Sequence, residues 1–159
     1  MNPEQSQLIQ LTWRQVVPVA DDAMQQFYRR LFEIDPGLRP LFAASDMHKQ
    51  RARLAQVLSA VVDGLDDIER LLPQIEALGR RHVGYGATAK HYDSVGEALL
   101  WTLRRGLGDA WSEAAEAAWS DAYGLVSSVM QNAGTEHSES RRSSAPGLAV
   151  IDTVPANCN

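Results

Sequence analysis

A chain of 159 residues and 17.5 kDa is one domain's worth of protein. Its 45% hydrophobic and 22% charged residues exclude a disordered protein, a collagen-like fibre and a disulfide scaffold. The formal net charge of −5 argues against a nucleic-acid partner. No apolar run reaches the roughly eighteen residues of a membrane helix, and Met1-Asn2-Pro3-Glu4-Gln5 lacks the basic and apolar regions of a signal peptide. The lone Cys158 closes no intramolecular disulfide, so a cytoplasmic location is expected. A chain of this size buries one core and one ligand pocket. It does not also house a nucleotide-binding reductase module built of βαβ units.

The elements read as helices punctuated by Pro and Gly, with no hairpin signal and no alternating strand pattern. Asn2 caps the first, with Pro3 at its first position. Pro18 ends or kinks it, and a second helix runs to about Ile34. Asp35-Pro36 starts a short helical turn ending near Phe42, and Ser45 or Asp46 caps a long helix to about Val62. Asp66 or Asp67 opens another, which ends near Gly84 to Gly86. Thr88 caps a helix that Gly106 and Gly108 stop at about Leu107, and Ser112 caps the last, to about Asn132. The result is an all-α protein of six or seven helices over residues 1–132. Residues 133–159 lose the periodicity and are rich in Ser, so they read as a disordered tail with one apolar island, Leu148 to Ile151. Trp101, Trp111 and Trp119 read as core or inter-helix packing.

Two polar residues stand out on apolar stripes. Leu71, Leu72, Ile75, Leu78 and His82 fall at helical spacing, which turns the His82 imidazole inward. An inward His is more often a hydrogen-bonded core residue, but a neutral imidazole is also an axial ligand of haem iron. Met47, Gln50, Leu54, Val57, Leu58 and Val61 form a second stripe with Gln50 as its polar member. A buried amide costs about 1–3 kcal/mol unless it finds a partner, so Gln50 is either half-solvated at the rim or held there for a purpose. His48 lies about 200° around the helix from Gln50 and faces water.

Phe27-Tyr28-Arg29-Arg30-Leu31-Phe32, Asp35-Pro36 and Arg39-Pro40-Leu41-Phe42 resemble the opening half of bacterial haemoglobins. Leu78-Gly79-Arg80-Arg81-His82, Tyr85-Gly86, His91-Tyr92 and Val95-Gly96-Glu97-Ala98-Leu99-Leu100 look like their second half, continued by Leu107-Gly108, Ala118-Trp119 and Ala122-Tyr123-Gly124. The spacings agree too, with fourteen residues from Tyr28 to Phe42 and thirty-two from Gln50 to His82. Over residues 1–132 the chain is thus similar to the single-domain bacterial haemoglobins and to the globin domain of flavohaemoglobins, which implies a globin fold around haem b, iron protoporphyrin IX.

The resemblance assigns roles position by position. His82 matches the proximal iron ligand, and Tyr28 with Gln50 the distal pair that contacts bound gas. Phe42, Leu54, Leu78 and Val95 match haem-lining positions. Tyr92 matches a tyrosine that hydrogen-bonds toward the proximal side. Arg80 or Arg81 either pairs with a haem propionate or is simply solvated. One departure is that the family's glutamate near the end of the last helix, counted from Trp119 and Tyr123, falls on Gly134, with Glu136 two residues off. That puts in doubt the electron push associated with peroxidase-like chemistry.

Three functions fit these roles. The first is high-affinity reversible oxygen binding for transport, storage or scavenging, with nitric oxide and carbon monoxide as further ligands. The second is nitric-oxide dioxygenase activity, which yields nitrate and needs a separate reductase. The third is a haem-based gas sensor, which needs an output domain.

Overall fold

The computed structural model describes residues 1–144. Among them are six α-helices and no strand. The first, α1 (Pro3–Val16), begins on a reciprocal cap: Asn2 Oδ1 accepts from the Gln5 N–H at 2.8 Å, and Gln5 Oε1 accepts from the Asn2 N–H at 3.1 Å. This satisfies donors that the first turn otherwise leaves unpaired. Pro18 lies in a 3-10 turn, Val17–Val19, that separates α1 from α2 (Ala20–Ile34). A 3-10 stretch, Pro36–Phe42, leads to α3 (Met47–Asp63). Of the two caps expected there, Asp46 is the one used, accepting from the N–H groups of His48 at 3.0 Å and Lys49 at 3.3 Å. A further 3-10 turn, Leu65–Asp67, precedes α4 (Ile68–Gly84).

The remaining helices are α5 (Ala89–Leu107) and α6 (Glu113–Ser144). Gly106 stays inside α5, and Gly108, at φ 51°, is the residue that stops it. An L side chain rarely adopts that conformation. Ser112 Oγ caps α6 by accepting from Ala115 N–H at 3.0 Å.

The expected end of the last helix near Asn132 is corrected: α6 runs on to Ser144. Packing explains the difference. Ala133 is buried, and Gly134 lies so close to α4 that a Cβ there would meet Val83 Cγ2 at 2.5 Å. On the α4 side, a Cβ at Gly79 would run into the backbone of Met130. The two glycines let α4 and α6 approach main chain to main chain at Gly79 and main chain to side chain at Gly134, and this contact is the largest between any two helices described. Once Ala133 and Gly134 are held, no proline interrupts the next turns. Glu136 is exposed. The apolar island Leu148 to Ile151 and Cys158 lie outside the described residues.

Two further contacts close the bundle. Trp119 is buried and donates from Nε1 to Thr12 Oγ1 at 2.9 Å, joining α6 to α1. Trp13 packs against Trp119 with ring centroids 6.1 Å apart and donates to Ser59 Oγ at 3.0 Å, joining α1 to α3. Both rings therefore bury their area without leaving the indole N–H unpaired. Trp101 sits between two cations instead, with Arg30 and Arg105 each 5.4 Å from its ring. No helix among the described residues is long and apolar enough to cross a membrane.

Candidate functional site

The helices enclose one large apolar cavity of about 520 Å³, to which all six contribute lining. Protein interiors pack to the density of organic crystals, and a void of this size is what a protein keeps for a ligand. The stripe read on α3 faces it, with Gln50, Leu54, Val57, Leu58 and Val61 on the wall. The stripe on α4 faces it too, through Ile75, Leu78 and His82. Phe42, Tyr28, Tyr92 and Val95 complete the set, so every site residue named from the sequence lines the same space except the two candidate propionate partners, Arg80 and Arg81. His48 is exposed, as its helical phase requires.

On the side of α2 and α3, Gln50 is buried and its Nε2 donates to the Tyr28 hydroxyl oxygen at 3.1 Å. This bond resolves the cost of burying the amide. Tyr28 is itself buried, and its ring is fixed edge-on by Phe27 at 5.0 Å and by Phe42 at 5.6 Å. The polar pair therefore sits on an aromatic floor that leaves it little freedom.

The imidazole on α4 is equally constrained. His82 Nδ1 lies 2.8 Å from the Leu78 carbonyl oxygen. A carbonyl only accepts, so the ring proton belongs on Nδ1 and the lone pair on Nε2. Burial, the largest influence, lowers the His82 pKa below its ordinary value; the Arg81 charge also lowers it, and the Leu78 bond works the other way. The ring is therefore neutral, the form that binds metal.

Behind it, the Tyr92 ring centroid is 6.2 Å from that of His82. Tyr123 donates its hydroxyl to the Tyr92 main-chain carbonyl at 2.5 Å. Its phenol reaches that carbonyl because Gly96 has no side chain, since a Cβ there would come within 2.7 Å of the Tyr123 ring. Burial, followed by the neighbouring Tyr92 and Asp93, pushes the Tyr123 pKa well up, and burial also raises that of Tyr92. Both phenols stay protonated. At the position where the resemblance expects a glutamate, 134, the chain has a glycine against Val83, with no room for a longer side chain.

Several lining residues had no role in the sequence reading. Arg80 and Arg81 do not line the cavity, whereas Arg53 and His91 do. Arg53 is three residues beyond Gln50 on the same helix, a spacing that signals a shared face. Tyr85, also on the wall, places its ring centroid 6.0 Å from that of His82. Tyr123 is four residues after Trp119 on α6 and shares its inward face.

The donor set and the void fit haem. A neutral imidazole with its lone pair on Nε2 suits iron, the apolar and aromatic walls suit a porphyrin face, and Arg53 suits a carboxylate. Among the described residues no group of three or more His, Cys, Asp or Glu side chains is arranged to hold a bare metal ion.

Known proteins bear out the same reading of the fold. The globin family model matches residues 25–130. A flavohemoprotein of Chromobacterium violaceum is 37% identical over 106 residues, which are 65% of this chain and 26% of that protein. A flavohemoprotein of Bordetella parapertussis is 31% identical over 132 residues, 82% of this chain and 33% of that protein. The chain thus spans a third or less of the length of these curated relatives. The structure of a bacterial globin from Campylobacter jejuni matches with a TM-score of 0.75 at 21% identity, covering 87% of this chain and 99% of that one. With its helices, its cavity and these likenesses in agreement, the chain belongs to the globin family.

Proposed function

We propose that this globin binds haem b through His82 and holds oxygen reversibly at ferrous iron, with Tyr28 and Gln50 as the hydrogen-bonding groups beside the gas. The observation that carries this reading is one apolar cavity holding a neutral imidazole from α4 and a buried hydroxyl–amide pair from α2 and α3. Haem supplies the iron at which a diatomic gas is held.

The chain's own residues do the rest. His82 offers Nε2 as a ligand, and its Nδ1–H bond to Leu78 fixes the ring and raises its basicity. Phe42, Leu54, Leu78, Tyr92 and Val95 present surface to the porphyrin and exclude water. Gln50 has two amide N–H donors, and the one given to Tyr28 orients the phenol. A gas that gains negative charge on binding is stabilised by such donors more than one that stays neutral. A hydrogen bond to a charged group is worth about 1.5–3 kcal/mol, or about ten- to a hundredfold in a rate of escape. Oxygen release followed by stopped flow tests this. Tyr28→Phe should lose oxygen about ten- to a hundredfold faster while carbon monoxide release changes less, and equal oxygen release rates contradict the reading.

The likeness to flavohemoproteins supports a second reading, in which the same pocket oxidises nitric oxide to nitrate with electrons from a separate reductase. Sustained nitric oxide consumption with an added reductase and reduced nicotinamide distinguishes it from oxygen carriage.

A further inference from the structure

We infer that Tyr85 is a positioning residue for His82, a role that rests on the haem-ligand reading of His82. The end of α4 is closed by a reversal. Gly86, at φ 84°, lets the Gly86 N–H reach the Val83 carbonyl at 3.0 Å and the Ala87 N–H reach the His82 carbonyl at 3.0 Å. These are the two bonds of a Schellman cap. Tyr85 N–H adds a second donor to the His82 carbonyl at 3.1 Å. The main chain of His82 is thereby tied at the last turn of its helix, and Tyr85, three residues on and still in the right-handed helical region at φ −85° and ψ −1°, falls beside the imidazole.

The two rings meet edge to face, with centroids 6.0 Å apart and planes at 68°. That is a favoured aromatic arrangement, because the edge of one ring carries positive charge toward the negative face of the other. The hydrogen bond from Nδ1 to Leu78 holds one edge of the imidazole, and the neighbouring rings act on the tilt of its plane. Tyr92, whose ring lies at 34° to the imidazole at 6.2 Å, and Tyr85, at 68°, limit rocking from two different orientations. Tyr85 also lines the cavity and is half-buried, so its ring is held by the same wall that it helps to form. A side chain that fixes the plane of a ligand ring sets how its lone pair meets the metal, as other supports behind metal ligands do.

The test reads ligand orientation rather than activity. In reduced, haem-loaded protein, the iron–imidazole stretching band is recorded by resonance Raman spectroscopy, and haem loss is followed by transfer to an apo-acceptor. Tyr85→Phe, which retains the ring, should move the band and the rate less than any variant that removes it. Tyr85→Leu, which keeps apolar bulk without a ring, should shift or broaden the band and speed haem loss by about two- to tenfold. Tyr85→Ala should do the same more strongly; where it fails to fold, the leucine variant carries the test. A band and rate unchanged in Tyr85→Leu overturn the inference while leaving the haem reading intact. Wild-type protein that takes up no haem overturns both.

Discussion

At the scale of single residues, the site is a set of polar groups made affordable by partners. Gln50 is inside because Tyr28 accepts its N–H, and Tyr28 is inside because three other aromatic rings surround it. Tyr28→Phe therefore tests stability as well as gas release. It strips the buried amide of its acceptor and should cost about 1–3 kcal/mol in urea unfolding. His82 carries a pH dependence whose sign follows from its lowered pKa. The folded chain resists protonating this ring, whereas the unfolded chain takes up the proton near pH 6.5. Stability of the haem-free protein should be level above about pH 6.5 and fall as the pH drops below it. In His82→Gln that fall should be smaller; equal slopes in the two proteins contradict the assignment.

Much of this was legible before any coordinates. The inward phase of His82 and the anomaly of an amide on an apolar stripe follow from helical spacing, and the resemblance assigned Tyr28 and Phe42. Tyr85 and Arg53 went unassigned, although each lies three residues after a site residue. Tyr85 is the capping residue of α4, so its place beside His82 depends on the helix running as far as Gly84. Arg53 competes with Arg80 and Arg81 on equal terms until the helices are placed around the cavity.

At the scale of elements, the helix starts were legible because capping is local: Asn2, Asp46 and Ser112 each accept from a backbone N–H two or three residues on. The end of α6 was not, because what holds it is tertiary. Ser, Thr and Glu after Asn132 read as the start of a disordered tail, yet Ala133 and Gly134 are buried against α4. Two outcomes follow. Gly79→Ala puts a methyl group into the Met130 backbone of the opposing helix, and rigid main chain cannot rotate away. It should cost about 1–3 kcal/mol, measured by denaturant unfolding. A chain ended after Asn132 should likewise unfold at lower urea than one ended after Ser144, since it loses the contact of Gly134 with Val83. Equal midpoints mean the extra turns do not brace α4.

At the scale of the whole molecule, the six helices among the described residues surround the large apolar cavity, and nearly all the chemistry comes from which side chains they leave facing it. The two glycine-based contacts, Gly79 and Gly134 at the crossing of α4 with α6 and Gly96 under Tyr123, set how closely the proximal wall packs. The chain spans a third or less of the length of its flavohemoprotein relatives, and the proposed nitric oxide chemistry needs a reductant to restore the iron after each round. Without added reductase, nitric oxide should be oxidised in a single round and consumption should then stop. Continued consumption contradicts the need for a partner.

The measurement that bears most directly on the central claim is the absorption spectrum of haem-supplied, reduced protein, first under argon and then in air, beside His82→Ala. Haem bound by the wild type, a spectrum that shifts in air and returns when oxygen is removed, and loss of that behaviour in His82→Ala are the predicted results. A wild-type protein that stays colourless, or a His82→Ala variant that retains the wild-type spectrum and its response to oxygen, would contradict the account.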